Sequence, residues 1–243
     1  MPHPEVTKQA KDVHKRLRKA IPSPRVELDH DGPWQLLVAT ILAAQSTDKK
    51  INEVTPALFA AYPTPEALGY AAKEDVERLV KPTGFFRNKA KAIMGASRAI
   101  ADDFDGEVPR TMEALTTLPG VARKTANVVL GSGYGIATGI VVDTHVKRVS
   151  RRLELTVETD PVRIERELVE LFPKRSWVAV SHRLVLHGRY VCQAKKPRCA
   201  RCPLHEICAA AEGEPEHRAW TRRAAWERTL VESRGTVDDP PWD

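Results

Sequence analysis

Leu118-Pro-Gly-Val-Ala-Arg-Lys-Thr-Ala126 is the stretch of sequence that decides the fold. Pro119 cannot continue a helix, and Gly120 accepts the positive φ that a sharp reversal of the chain needs. We therefore predict a short helix that ends near Thr117, a tight turn, and a second helix that starts near Ala122. The unpaired N–H groups and the positive dipole end of this second helix would form a phosphate-binding site.

Lys124 lies in the first turn of that predicted second helix, beside Arg123. The helix dipole and the neighbouring cation disfavour the ammonium form of this lysine, so they favour the nucleophilic free amine. A helical hairpin that only stabilises the fold, with both cations solvated, explains the stretch about equally well on its own. The choice between the two interpretations depends on the rest of the chain.

The composition is that of a globular protein with a basic body. The chain has 243 residues, of which 42% are hydrophobic and 29% are charged, and its net charge is +6. The segment 209–243 holds more acidic than basic residues, so the body before it is more basic than the whole, which suits a nucleic-acid partner. We find no membrane-length apolar run and no signal-peptide core. We expect an intracellular protein, cytoplasmic and associated with the nucleoid if the organism is prokaryotic.

Helical periodicity runs through the whole chain and nothing resembles a strand ladder, which predicts an all-α fold. The Gly-rich segment 131–139 marks the expected boundary between two lobes. The clearest predicted helices are Val6–Ala20, Trp34–Ala44, Lys91–Ala101, Thr144–Leu153 and Trp177–His187.

A second, degenerate hairpin is predicted by an internal repeat. The spacing of Leu79, Gly84 and Ala90 recurs 36 residues later in the hairpin described above. The repeat places Phe85 and Phe86 on a turn, where an exposed aromatic ring calls for a function. The pattern is equally compatible with both rings lying in the core.

Two polar residues lie where helices begin or end. Asp143 follows an apolar segment and opens the helix Thr144–Leu153, as an N-cap does. A capping carboxylate is held rigidly, so this role is compatible with a catalytic one. Gln45 lies at the break after a buried helix, where the plain interpretation is a polar cap, and Ser46 or Thr47 would cap the helix that follows.

All four cysteines lie in one short segment, with the spacing Cys192-x6-Cys199-x2-Cys202-x5-Cys208. Two disulfides this close together are rare in an intracellular protein, so metal binding is the better interpretation. Four thiolates suit either zinc or an iron–sulfur cluster. A single Cys-x2-Cys between longer gaps indicates a loop that wraps around a larger object, which favours the cluster.

Cations lie between these cysteines, and they have two possible roles. They balance the charge of the thiolates and their metal, or they contact nucleic-acid phosphates. The residues are Lys195, Lys196, Arg198 and Arg201.

The hairpin stretch, Val142-Asp-Thr-His145 and the cysteine spacing together resemble the endonuclease III family of bifunctional DNA glycosylases, in the helix-hairpin-helix superfamily. The resemblance covers about residues 8–209. It implies a helical-bundle lobe at residues 26–137, which carries the hairpin. It implies a second lobe, made of residues 1–25 and 138–209, with a [4Fe-4S] cluster on the four cysteines. The tail 210–243 is assigned no structure.

The resemblance also implies an activity. DNA would lie across both lobes, with a damaged pyrimidine flipped into the cleft between them. Lys124 would attack C1′ and Asp143 would stabilise positive charge on the sugar and move protons. Loss of the base leaves a Schiff base, and β-elimination cuts the strand 3′ to the lesion. The expected partner is double-stranded DNA with a damaged base or an abasic site, bound by a monomer.

Further DNA contacts follow from the same resemblance. Gln45 matches the residue that fills the space of the flipped nucleotide, and Phe85 matches a wedge on the opposite strand that is commonly aliphatic in the family. Ala122 stands where the hairpin usually has a second Gly, which puts DNA affinity in question. The implied DNA-binding residues are Gln45, Phe85, Phe86, Gly120, Val121, Ala122, Arg123, Thr125, His145, Lys195, Lys196 and Arg198.

Three other functions compete with this prediction. An adenine-mismatch glycosylase shares the hairpin, aspartate and cluster, but it typically lacks a lysine at the position of Lys124 and carries a large additional C-terminal domain. A non-catalytic DNA-binding module would not need both Lys124 and Asp143. A zinc-stabilised helical adaptor would lack the visible absorbance at roughly 410 nm of an iron–sulfur cluster.

Overall fold

The computed structural model describes residues 2–211, and every regular element in this part of the chain is helical. The predicted all-α fold is therefore confirmed. No helix among these residues is long and apolar enough to cross a membrane. The predicted tail lies outside the described residues, apart from Ala210 and Ala211.

The chain divides into two compact units, and the first spans Val26–Thr138. Its core is aliphatic, with Leu36, Leu42 and Ile93 fully buried. Its helices are α2 (Pro33–Leu42), α3 (Asp48–Ala61), α4 (Pro65–Gly69), α5 (Lys73–Val80), α6 (Phe86–Asp103), α7 (Met112–Thr117) and α8 (Arg123–Val128), with a 3₁₀ turn at Lys81–Thr83 and a π-helical turn at Val129–Gly133.

The second unit combines the N-terminal residues up to Arg25 with the residues from Gly139 onward. Its core is built from apolar side chains of its long helices, among them Leu17, Val149 and Leu184. These helices are α1 (Pro4–Ala20), α9 (Thr144–Arg152), α10 (Pro161–Leu171) and α11 (Trp177–Tyr190), and 3₁₀ turns lie at Lys174–Ser176, Cys199–Arg201 and His205–Ile207.

Side-chain caps fix where several helices begin, because they accept hydrogen bonds from otherwise unpaired N–H groups. The backbone N–H of Lys50 donates to the Thr47 hydroxyl over 3.2 Å, so Thr47 caps α3. Asp160 caps α10 by accepting from the N–H groups of Val162 and Arg163. Thr47 is one of the two residues that the sequence pattern predicts as the cap of α3.

Helix α11 does not stop at Gly188, as the sequence pattern predicts, but continues to Tyr190. Gly188 instead allows α11 to approach α9 closely. A Cβ atom at Gly188 would lie 2.8 Å from the His145 Cβ and 3.1 Å from the Val149 Cγ2, which is too close for any larger residue. This glycine therefore permits helix packing, and it is not a terminator.

Two histidines, buried among these helices, predict a pH-dependent stability. Burial lowers the pKa of His145 and that of His187 from 6.5 to about 4. The unfolded chain therefore binds protons between pH 6.5 and pH 4 that the folded chain does not, so stability present above pH 6.5 is lost as the pH falls through this window. We expect the free energy of unfolding to fall by about 1.4 kcal/mol per pH unit for each imidazole at most.

Urea unfolding between about pH 7 and about pH 5 measures this dependence. In a His187→Gln variant, which has one fewer buried imidazole to protonate, we expect a shallower decline. The same decline in that variant and in the wild type would show that this histidine does not contribute.

Candidate functional site

The predicted helical hairpin is present, with α7 ending at Thr117 and α8 beginning at Arg123. Gly120 has φ 77°, in the left-handed region that glycine adopts without strain. A Cβ atom there would also lie 2.7 Å from the Ala92 Cβ on α6. The turn therefore requires glycine for two independent reasons.

Lys124 is the second residue of α8, and its side chain is exposed. Ala122 occupies the N-cap position and offers no side-chain acceptor to the N–H groups at the start of the helix. Val121 is buried and anchors the turn in the core, whereas Arg123 is exposed and Thr125 is half-buried. The arrangement presents a primary amine beside an uncapped helix start, which is suited to an anionic ligand.

Asp143 is the N-cap of α9, as predicted. Its Oδ1 accepts a hydrogen bond of 2.8 Å from the backbone N–H of Val146, and its side chain is partly exposed. The carboxylate is thus fixed relative to the helix. Asp143 belongs to the second unit of the chain and Lys124 to the first.

His145 is buried, with only 8% of its surface exposed. Its Nδ1 lies 3.2 Å from the Arg148 Nη2, which also donates to the Gly188 carbonyl over 2.9 Å. The structure therefore places this predicted DNA contact inside the second unit and not on the described surface.

Arg148 and Arg152 are two charged residues of α9 that lie inside the protein. Both are buried, with 5% and 2% of their surface exposed. The Arg148 Nε donates to the Cys192 carbonyl over 3.1 Å. Arg152 donates to the carbonyls of Gln193 and Ala194 over 2.8 and 3.0 Å. The two guanidinium groups fasten the helix that Asp143 caps to the segment that holds the first cysteine.

The four cysteines line one pocket together with Arg152 and His187. The Arg152 Nη1 lies 3.4 Å from the Cys192 Sγ, and the backbone N–H of Leu204 donates to the Cys202 Sγ over 3.4 Å.

Burial disfavours the ionisation of two of these thiols. It raises the pKa of Cys202 to about 12 and that of Cys208 to about 11, and the other thiols of the pocket raise both further. A thiolate in this pocket therefore requires positive charge close by.

The cations between the first two cysteines differ in exposure. Lys195 and Lys196 are exposed, and Arg198 is half-buried. The backbone N–H of Arg198 donates to the Val191 carbonyl over 2.8 Å, which closes the loop on itself. The two lysines at the tip of this loop can reach a phosphate backbone.

Gln45 lies in the turn between α2 and α3 with φ 55°, and it is exposed. A residue other than glycine rarely adopts this conformation, which costs about 1–2 kcal/mol. The turn therefore holds Gln45 in a conformation that an unconstrained chain would avoid. Such strained backbone is common at functional sites.

The second hairpin separates the two phenylalanines that the repeat places together. Gly84 and Phe85 both have positive φ, of 71° and 48°, and Phe85 is 61% exposed. Phe86 packs against the core, with the Arg87 guanidinium 5.1 Å from its ring centroid. Helix α6 begins at Phe86 and not at Lys91, because this turn leads directly into it.

Comparisons with known proteins agree on the family. A family described as HhH-GPD superfamily base excision DNA repair protein matches residues 38–174. Endonuclease III of Synechocystis sp. is 56% identical over 196 residues, which cover 81% of this chain and 90% of that protein. Endonuclease III of Escherichia coli K12 is 39% identical over 201 residues, which cover 83% of this chain and 95% of that protein.

Solved structures match over almost the whole of their chains. A non-covalent endonuclease III–DNA complex has a TM-score of 0.81 at 37% identity and covers 91% of this chain and 100% of that one. A trapped endonuclease III–DNA covalent intermediate also has a TM-score of 0.81 at 37% identity, and it covers 90% of this chain and 99% of that one.

Proposed function

The chain belongs to the HhH-GPD superfamily of base excision DNA repair proteins, and from that membership we propose the chemistry of its two motif residues. It is a DNA glycosylase with AP (apurinic/apyrimidinic) lyase activity, of the endonuclease III type. We assign the nucleophile to Lys124 and the carboxylate function to Asp143. The observation that carries this assignment is an exposed lysine in the first turn after the Gly120 hairpin.

The reaction proceeds in two stages. The Lys124 Nζ attacks C1′ of the damaged nucleotide, and the base leaves with the electron pair of the glycosidic bond. The amine nitrogen loses a proton and the C1′–O4′ bond breaks, so that O4′ takes up a proton and a Schiff base forms at C1′ of the opened sugar. Loss of a proton from C2′ then expels the 3′ phosphate, and hydrolysis of the imine releases the lysine. The Asp143 carboxylate stabilises positive charge on the sugar and moves protons, and its hydrogen bond to the N–H of Val146 keeps it oriented.

The substrate is an oxidised pyrimidine or an abasic site in double-stranded DNA, bound by a monomer that acts at the nucleoid of a bacterial cytoplasm. Gln45 fills the space that the flipped nucleotide leaves, and Phe85 enters the stack on the opposite strand. Their exposure and positive φ support these roles, since both side chains stand at the tips of turns. Phe86 packs against the core, and it anchors the start of α6 immediately after the wedge.

Phosphates are held by the first hairpin and by the cysteine loop. Backbone N–H groups of the turn and of the first turn of α8 face the phosphate, and loop cations contact the strand further along. His145 contributes by holding α9 in place, since its ring is buried. The proposed phosphate contacts are Gly120, Val121, Ala122, Arg123, Thr125, Lys195, Lys196 and Arg198.

We assign the two lobes to residues 26–137 and to residues 1–25 with 138–209. The compact units Val26–Thr138 and its complement support these bounds. The first lobe carries the hairpin with Lys124, and the second carries Asp143 and the cysteines.

The second lobe holds a [4Fe-4S] cluster on Cys192, Cys199, Cys202 and Cys208. The donor set fits this group, because four thiols line one pocket and the Arg152 guanidinium lies beside the first sulfur. When bound, the cluster supplies positive charge and four Fe–S bonds that keep the loop of cations folded. The protein donors that approach the sulfurs stabilise the thiolate form.

The cluster is tested on the purified holoenzyme. We expect a broad absorbance near roughly 410 nm and about four iron atoms per chain, both lost in a Cys202→Ser variant. A colourless protein with about one zinc atom per chain would identify a zinc site instead.

The proposed activity is tested on a duplex with a single thymine glycol under single-turnover conditions. We expect excision of the damaged base and cleavage of the strand 3′ to the lesion, with the undamaged duplex left intact. Excision of adenine from a mismatch, with thymine glycol left in place, would indicate the adenine-mismatch glycosylase. DNA binding without excision on any damaged duplex would indicate a binding module.

A further inference from the structure

Lys89 is a buried lysine in the second hairpin, with only 5% of its surface exposed. Its Nζ donates a hydrogen bond of 2.7 Å to the Thr83 carbonyl, and its backbone N–H donates to the Phe85 carbonyl over 3.1 Å. The same residue therefore holds the chain on both sides of Gly84.

The acceptor side of this contact is itself fixed. Thr83 has 2% of its surface exposed, and its hydroxyl donates to the Val80 carbonyl over 2.8 Å. The Lys89 ammonium therefore binds the carbonyl of a residue, Thr83, that is itself buried and hydrogen-bonded. Lysine is rarely buried in proteins, because its charge must leave water, whereas an apolar side chain would fill the same space without that cost.

The segment between these contacts has a conformation that it would not adopt unaided. Gly84 and Phe85 are consecutive residues with positive φ, and a phenylalanine in the left-handed region is strained. Such a conformation persists only where the surrounding structure enforces it. The Lys89 ammonium binds the carbonyl of Thr83, immediately before the two positive-φ residues, and the Lys89 backbone N–H binds the carbonyl of Phe85, the second of them. Phe85 itself is 61% exposed.

We propose that Lys89 is a positioning residue for the Phe85 wedge. Its ammonium holds the 3₁₀ turn Lys81–Thr83 against α6, so that Phe85 is already in its DNA-inserting orientation before DNA binds. Such preorganisation saves the conformational entropy that ordering the turn on the duplex would otherwise require. The inference rests on the proposed function, in which Phe85 enters the duplex opposite the lesion.

The test compares Lys89→Met, which keeps the side-chain length but removes the donor, with Lys91→Met, the same change at an exposed position of α6. Phe85→Ala and the double variant Phe85→Ala/Lys89→Met complete a mutant cycle. The readouts are the single-turnover rate of thymine glycol excision opposite adenine and opposite guanine, the fluorescence of 2-aminopurine placed opposite the lesion, and the unfolding temperature.

We expect Lys89→Met to lower the rate of excision by about tenfold, to change the adenine-to-guanine ratio and to reduce the 2-aminopurine signal. Lys91→Met should match the wild type. The double variant should excise no more slowly than Phe85→Ala alone, because Lys89 acts through the ring. If Lys89 has a purely structural role, Lys89→Met would lower the unfolding temperature both in the wild type and in Phe85→Ala. It would leave the ratio of excision opposite adenine to excision opposite guanine unchanged.

Two results overturn the inference in distinguishable ways. If the effects of Lys89→Met and Phe85→Ala multiply, Phe85 is the wedge but Lys89 does not position it. If Phe85→Ala excises like the wild type, the proposed wedge itself is wrong and the inference fails with it. If Lys89→Met does not fold, Thr83→Val serves as the second variant, because it removes the hydroxyl that fixes the acceptor of the Lys89 hydrogen bond. We expect Thr83→Val to change the adenine-to-guanine ratio of excision. An unchanged ratio contradicts the inference.

Discussion

Replacing Lys124 by alanine is expected to lower the rate constant for strand cleavage at an abasic site on the order of 10⁴-fold, because no other group is assigned to form the Schiff base. The side chain is exposed, and alanine is the best helix former, so α8 should remain folded. Single-turnover cleavage with the enzyme in excess measures the chemical step without a contribution from product release.

The neighbouring Arg123→Ala variant is the matched comparison, since it removes a cation from the same helical turn without removing the nucleophile. We expect it to weaken DNA binding several-fold and to reduce the dependence of affinity on salt, with little change in the rate at saturating enzyme. Cleavage by Lys124→Ala at the wild-type rate would mean that another amine attacks C1′.

Replacing Asp143 by asparagine is expected to lower the rate of base excision by about 10²- to 10⁴-fold. The variant loses the negative charge but keeps a side-chain oxygen that can accept the N–H of Val146, which the carboxylate accepts over 2.8 Å. The cap of α9 should therefore survive, and the free energy of unfolding should stay close to that of the wild type.

The Asp143→Ala variant separates catalysis from capping. Its rate of base excision should fall by about the same factor as that of Asp143→Asn. Its free energy of unfolding should in addition fall by about 1 kcal/mol, because the first turn of α9 loses its acceptor. Urea unfolding of the two variants alongside their excision rates gives both quantities. An excision rate for Asp143→Asn equal to that of the wild type would contradict a role for the carboxylate charge.

The parts of the fold that could be predicted from sequence depend on short-range chemistry. Pro119 and Gly120 limit the backbone at the hairpin, and Asp143 accepts a hydrogen bond from its own helix, so both signals lie within a few residues. The cysteine spacing is likewise local, and it places the four thiols in one pocket.

The parts that could not be predicted depend on partners far away in the chain. Helical periodicity gives no reason to bury the charged Arg148 and Arg152, because it does not reveal the carbonyls of the Cys192 segment that they bind. Gly188 lies inside α11, where it allows the close approach of α9, and the sequence does not reveal that contact. Phe85 is exposed whereas Phe86 packs against the core, and Phe85 has a left-handed backbone conformation that no periodicity reveals.

The central claim is that Lys124 forms a covalent intermediate with DNA, and borohydride trapping tests it most directly. Borohydride reduces a Schiff base to a stable amine, so enzyme linked to a duplex with one thymine glycol migrates as a slower band. We predict this band for the wild type and its absence for Lys124→Ala. Base excision by the wild type without any trapped band, or an equal band in Lys124→Ala, would contradict the claim.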